Sequence, residues 1–274
     1  MSKEHSDILV VDVGGTHVKI LATGQTGPIK IDSGPKMTAR QMVADVKKAA
    51  SKWKYTAVSI GYPGPVVHNQ PVVEPHNLGS GWVGFDFRTA FGCPVKVSND
   101  AAMQALGSYE GGRMLFLGLG TGLGSAMIVD GLLEPMELAH LPYKKGLTYE
   151  DYVGERGLER LGKKRWRKAV GDVVEALMAA LQAEYVVLGG GNARLLHELP
   201  KGARLGDNAN AFLGGFRMWR GASAVPESGG VPKEAVPPKK AKASKKSATK
   251  KRAAVAKASA AVPMAEDDEP EESK

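Results

Sequence analysis

The segment Asp12-Val-Gly14-Gly15-Thr16, with Lys19 three residues further on, brings together a carboxylate, two residues without side chains, a hydroxyl and a cation. Gly14 and Gly15 would let backbone N–H groups reach anionic oxygens, Thr16 would add a donor, and Asp12 could hold Mg²⁺ through water. Such a set suits a phosphate. It is neither GxxxxGK[ST] nor a GxGxxG opening a helix, and Gly-Gly is equally at home in an ordinary hairpin turn. Gly120-Thr121-Gly122-Leu-Gly124 repeats the arrangement, and two such tips facing each other would clamp a phosphate chain. Gly189-Gly190-Gly191 would let a phosphate tail lie against the backbone, or would form a tight strand-to-helix turn.

Between the first two groups stands Val97-Ser-Asn99-Asp100. Transfer of a phosphoryl group to an alcohol needs a carboxylate in reach of the hydroxyl proton, and a neighbouring amide can orient that hydroxyl. Asp100 and Asn99 fit these two roles; the alternative is that one of them caps a helix. Glu137-Leu-Ala-His140 spaces a carboxylate and an imidazole so that on a helical turn both face one side, an arrangement suited to vicinal hydroxyls or simply a surface pair. Glu150, in TYEDY, is a further hydroxyl acceptor or a first-turn acid. Lys144, Lys145, Lys163, Lys164, Arg165, Arg167 and Lys168 form a basic stretch, which is a solvated face or a guide for a long anionic chain.

These residues need elements to position them. Strands are expected at 8–13 and 18–22 around the first glycine tip, at 55–60, at 95–98 ahead of an alanine-rich helix, at 114–119 and 125–129 around the second tip, and at 185–188. A helix is expected over 38–53, with Thr38 and Gln41 as a capping box, another over 166–181 with Trp166 on its apolar stripe, and a last one over about 210–219. Two glycine-tipped hairpins, each opening a β-rich segment followed by helices, predict an α/β chain of two lobes of similar plan with the site between them. The expected division is 1–105 for the N-terminal lobe, 106–220 for the C-terminal lobe and 221–274 for a Pro/Ala/Lys-rich disordered tail. That tail carries eleven Lys/Arg and eight Asp/Glu in basic and acidic blocks.

Composition narrows the classes. The net charge is +8, from 37 Lys+Arg against 29 Asp+Glu, which suggests an anionic partner without being extreme. One cysteine, Cys93, excludes an intrachain disulfide and a cysteine-rich zinc site. No signal-peptide pattern opens the chain and no apolar run reaches the ~18 residues of a membrane span, so a cytoplasmic protein without a membrane partner is expected.

The ordered set DVGGTHVK, GYPG, SNDA, LGTGLGSA, ELAH and LGGG, over roughly residues 8–220, resembles the ROK family of sugar kinases, most closely its polyphosphate glucokinase branch. The resemblance implies a two-lobed actin-like ATPase (ribonuclease H-like) fold of the hexokinase type. It also implies phosphorylation of the glucose 6-hydroxyl, with Mg²⁺ and with polyphosphate or ATP as phosphoryl donor. On it, Asp100 is the general base, and Asn99, Glu137, His140 and Glu150 hold the sugar. Asp12, Gly14, Gly15, Thr16, Lys19, Gly120, Thr121, Gly122, Gly189 and Gly190 meet the donor, and Asp12 meets Mg²⁺ through water.

The chain departs from the family in three places. LPYKKGLTYEDY stands where many members carry CxCGxxGC, so no zinc site is expected. Ala139 stands for the glycine of ExGH, and the tail has no counterpart. The expected partners are glucose, polyphosphate or ATP, and a second copy of the chain, with nucleic acid engaged at most through the tail. The rival readings are an ATP-dependent kinase for another hexose and a sugar-sensing regulator. The regulator would carry an N-terminal helix-turn-helix, which is not expected ahead of a strand at Ile8.

Overall fold

The computed structural model describes residues 7–207 and 209–219; the expected tail lies outside them. The chain builds two five-stranded sheets of one plan. The first contains β1 (Ile8–Val13), β2 (His17–Ala22), β3 (Ile29–Asp32), β4 (Ala57–Tyr62) and, after the two-residue strands β5 (Val66–Val67) and β6 (Gln70–Pro71), β7 (Val95–Asn99). Its order is β3-β2-β1-β4-β7. The first two pairings are antiparallel and the last two parallel.

The second sheet repeats this with β8 (Arg113–Leu119), β9 (Leu123–Val129), β10 (Leu132–Met136), β11 (Tyr185–Gly189) and β12 (Ala203–Leu205), ordered β10-β9-β8-β11-β12. Again two antiparallel pairings are followed by two parallel ones. The central strands are near-continuous apolar runs because both faces are covered, β4 being buried at every residue. The edge strand β3 alternates half-buried and exposed residues.

Helix α1 (Ala39–Ala49) starts as expected at Thr38, whose hydroxyl accepts the Gln41 N–H at 3.2 Å. Only half of the capping box forms, because the Gln41 amide turns to Asp45 at 2.9 Å. The helix ends at Ala49 rather than at residue 53. Two short helices, α2 (Phe87–Phe91) and α4 (Tyr149–Val153), and the longer α3 (Asp100–Ser108) precede α5 (Glu155–Leu181). Helix α5 begins well before the expected residue 166 and is broken at Gly162, where φ is +71°. Trp166 is fully buried in the second core, its indole N–H donating to Val153 C=O at 2.9 Å.

The last helix, α6 (Asn210–Arg217), returns to α3 and to β1. Two glycines set how closely α6 meets α3: a Cβ on Gly107 would overlap the Asn210 main chain, and one on Gly214 the Met103 carbonyl. On its other side Gly215 faces Val10, and its carbonyl accepts the buried Ser59 hydroxyl at 2.6 Å. The expected boundary after residue 105 therefore falls inside α3, and the C-terminal helix packs on the N-terminal sheet.

Replacing Gly214 by alanine must push two backbones apart. The expected loss is about 1–3 kcal/mol, read as a fall of several degrees in Tm; an unchanged melting curve would show that α6 does not hold α3 in place.

Candidate active site

In open sheets, ligands bind outside the carboxyl ends of the parallel strands. Asp12, Gly61 and Ser98 are in register at these ends on β1, β4 and β7, and the chain passes directly from Asn99 into α3 at Asp100. Gly61 has a structural reason. A Cβ there would overlap the Met103 methyl, so the glycine makes room for that side chain of α3 against the strand.

Asn99 is the cap of α3. Its Oδ1 accepts from Ala101 N at 2.9 Å and Ala102 N at 3.2 Å, while its amide donates to Gly64 C=O at 3.1 Å. Asp100 also bonds its own helix, Oδ1 accepting from Ala101 N at 2.7 Å. Packing around the strand end strips water from the Asp100 carboxyl, and the charge on Asp12 adds to this, so its pKa is pushed up to about 7. Asp12 itself receives Lys19 Nζ at 3.2 Å, the two being partners across the β1–β2 ladder. Lys19 is thus held in the hairpin stem, whereas Thr16 is exposed at its tip.

The first tip is braced within its own sheet. Gly14 C=O accepts the Ser33 hydroxyl at 2.6 Å, and Thr16 C=O accepts Ser33 N at 3.0 Å. The second is shorter than expected, since Leu123 and Gly124 already belong to β9 and the turn is residues 120–122. Asn192 holds it from one side, donating from its main chain to Leu119 C=O at 2.9 Å and from its amide to Gly120 C=O at 3.3 Å. Gly190, with φ +82°, lies against Leu119, where a Cβ would overlap the main chain. The second and third glycine groups are therefore one cluster. Gly124 packs against the first turn of α3, a Cβ there coming within 2.9 Å of Ala101 Cβ, and so this cluster adjoins the helix that carries Asp100.

Glu137 and Asn99 line one cavity of about 280 Å³ together with Pro65, Val66, Ser98 and Met136. Asp100, His140 and Glu150 are not in that lining. The expected helical turn is also absent: Glu137 and His140 stand in the loop after β10, with a single turn closed by Leu141 N to Leu138 C=O at 3.2 Å. Spacing of three residues is shared by helices and isolated turns, and Pro135 just upstream favours the latter. Ala139 keeps a negative φ, so no glycine is required there, and its methyl is buried in the second core.

The Glu150 carboxylate turns away to β9, where Oε2 accepts Leu123 N at 3.0 Å. Ser125, which the motif reading passed over, is buried and bonds both sides of Glu137, donating to Met136 C=O at 2.9 Å and accepting from Leu138 N at 3.1 Å. Its signal was its place in LGTGLGSA. Of the basic stretch, Lys144 and Lys168 converge on Asp172 at 3.2 and 3.0 Å. Arg167 bonds Leu195 C=O at 2.7 Å, while Lys145, Lys163 and Lys164 are exposed.

A carboxyl raised by burial first and a neighbouring charge second has a signature. Carbon-detected NMR should place the Asp100 titration near pH 7, and Asp12→Asn should lower it without returning it to the ordinary carboxylate range. Because its folded pKa lies above the unfolded value, ionisation of Asp100 costs stability as pH rises from about 4 to about 7. Asp100→Asn should therefore be the more stable protein at pH 8, by at most about 4 kcal/mol, and the advantage should vanish near pH 4; equal stability at both pH values contradicts the assignment.

Residues 8–134 match the ROK family model. A polyphosphate glucokinase of Mycobacterium tuberculosis is 28% identical over 206 residues, covering 67% of this chain and 77% of that one. Among solved structures, the inorganic polyphosphate/ATP-glucomannokinase of Arthrobacter sp. strain KM superposes with a TM-score of 0.67 at 22% identity, over 78% of this chain and 98% of its own. A ROK family glucokinase from Streptomyces griseus, solved with glucose and AMPPNP, gives 0.60 at 17% identity, over 77% and 98%. The family match thus covers a little under half of the chain, and the described residues have the actin-like ATPase fold of the ROK hexokinases and glucokinases on which they superpose.

Proposed function

We propose that this protein is a glucokinase that transfers the terminal phosphoryl group of inorganic polyphosphate, with ATP as the alternative donor, to the 6-hydroxyl of glucose. The observation that carries the reading is the Asp100 carboxyl, raised to about 7 by burial and by Asp12 of the first hairpin, on the helix that Gly124 of the second hairpin meets, and next in the chain to Asn99, which lines a cavity of about 280 Å³. A base with a pKa near the working pH is ionised often enough to act and basic enough to take a proton. Asp100 accepts the 6-hydroxyl proton as that oxygen attacks the terminal phosphorus. The proton ends on the carboxyl, and the phosphorus–oxygen bond to the rest of the donor breaks.

Glu137 accepts hydrogen bonds from sugar hydroxyls in the cavity, with His140 entering from the adjoining turn. Asn99 holds the first turn of α3, and with it Asp100, in place. Gly15, Thr16, Thr121 and Gly122 present N–H and O–H donors to the transferring charge, Gly14 and Gly120 close the two tips with their own N–H groups on His17 and Gly122 C=O, and Gly189 and Gly190 form the adjoining turn toward the rest of the donor. Mg²⁺ fits as a water-bridged ion: Asp12 offers one carboxylate at the cleft floor, and the ion would neutralise donor phosphate oxygens there.

The names of the relatives support polyphosphate, and so do Lys145, Lys163 and Lys164, exposed on the loop before α4 and on α5.

A matrix of donors against sugars tests this. Glucose 6-phosphate should form from glucose and long-chain polyphosphate, and its absence with both polyphosphate and ATP rejects the proposal. Asp100→Asn should lower kcat by about 10²–10⁴ while calorimetry finds glucose affinity little changed. Lys163→Glu with Lys164→Glu should raise KM for long-chain polyphosphate and leave KM for ATP where it was; equal effects on both donors would remove these lysines from the donor path.

A further inference from the structure

β7 is the last strand of its sheet, so only one of its sides has a neighbour, in β4. On the other side the C=O of Val95 and the N–H of Val97 need partners from outside the sheet, just ahead of Asn99 and Asp100. A single side chain meets both. The Asn69 amide donates to Val95 C=O at 3.0 Å, and its Oδ1 accepts from Val97 N–H. A carboxamide carries a donor and an acceptor side by side as a peptide group does, so Asn69 stands in for one peptide of an absent strand.

Asn69 reaches this place from the hairpin of β5 and β6, in which Val66 pairs with Pro71 and Val67 with Gln70. His68 and Asn69 form its two-residue tip, with φ of +48° and +67°. A tight hairpin needs such left-handed values, which asparagine tolerates better than most side chains. So short a hairpin does not hold itself in water. Val66 and Pro71 pack inward while Val67, Val72 and Val73 are exposed, so polar bonds must fix the rest. Asn99 donates to Gly64 C=O at 3.1 Å at the root, the Tyr62 hydroxyl donates to Val73 C=O at 2.7 Å on the return arm, and Asn69 clamps the tip. Pro65, Val66 and Asn69 supply one wall of the cavity of about 280 Å³, and Pro135, Met136 and Glu137 supply another.

We propose that Asn69 is a positioning residue that clamps the β5–β6 hairpin to the free edge of β7 and so fixes the Pro65–Val66 wall of the cavity that Asn99 and Glu137 line. That the cavity holds a sugar rests on the sugar-kinase reading, while the clamp itself does not. Without the carboxamide the wall is in its binding position for only part of the time, and the apparent affinity for the sugar falls by that fraction. The glycine groups assigned to the donor belong to other segments of the chain, so donor binding should not follow.

The test uses the full chain at pH 8 with two variants. Asn69→Gly keeps the turn conformation and removes both bonds, whereas Asn69→Asp keeps the acceptor for Val97 N–H and loses the donor. Calorimetry without donor should find the glucose Kd raised about tenfold in Asn69→Gly and less in Asn69→Asp. KM for the donor, at saturating glucose, should change less than about twofold in both. A glucose Kd that does not move in Asn69→Gly, a donor KM that rises with it, or an aspartate variant no better than glycine overturns the proposal. Hydrogen exchange of the Val97 amide reads the clamp without any substrate. Its protection should fall in Asn69→Gly and persist in Asn69→Asp, and unchanged protection in Asn69→Gly also overturns the proposal. If the unsubstituted chain binds no glucose, the sugar-kinase reading fails, and the exchange measurement still decides whether Asn69 holds the hairpin on β7.

Discussion

The start of α3 on the end of the first sheet is the constraint from which the site follows. The strand-to-helix passage at Asn99-Asp100 places a carboxylate one residue beyond the parallel edge strand β7, and Gly61 on the neighbouring β4 leaves room for the Met103 side chain of that helix. The same closeness withholds water from Asp100 and keeps it near the charge of Asp12, which raises its proton affinity. A carboxylate with an ordinary pKa would be a poor proton acceptor for an alcohol at neutral pH. The unfavourable ionisation is offset by packing elsewhere: Gly107, Gly214 and Gly215 let α6 lie tightly on α3 and β1, and Asn99 occupies two of the helix's free N–H groups. Asp100 is thus poised by the fold as a whole rather than by one neighbour.

Much of this frame was legible in the sequence because it depends on short-range pattern. The two hairpins around glycine tips, the strand into Asn99-Asp100 and the apolar stripe carrying Trp166 are local signals, and the structure has each of them. What was not legible lies at the sheet edges. β3, β10 and β12 are short edge strands with half-exposed residues and, in β10, a proline. Their strand character comes from the neighbour they pair with and not from their own alternation. The early half of α5 was hidden by Gly157 and Gly162, which weaken a helical pattern. Asn99 was weighed as cap and as ligand; the two are not exclusive, since a capping side chain still presents its edge to the cavity it lines.

The Glu137–His140 loop illustrates a different limit. Glu137 and His140 are three apart in a helix and equally three apart in an isolated turn, and only the pairing of β10 with β9 decides between them. The alanine in place of the family's glycine fits this turn, because residue 139 has an ordinary φ and its side chain points into apolar neighbours, so the methyl group adds burial where glycine would leave a gap.

The two sheets share one topology, but their hairpins are anchored by different means, and this governs how each responds to change. The first tip is secured by Ser33, from the adjoining edge of its own sheet, with Asn77 close to Gly15. A substitution there acts on one loop. The second tip is secured by Glu150, Glu155 and Asn192, which arrive from separate segments that also lead to the Glu137–His140 loop, to α5 and to the third glycine group. Movement of this tip must be shared by all of them, because packed elements shift between discrete arrangements rather than deform continuously.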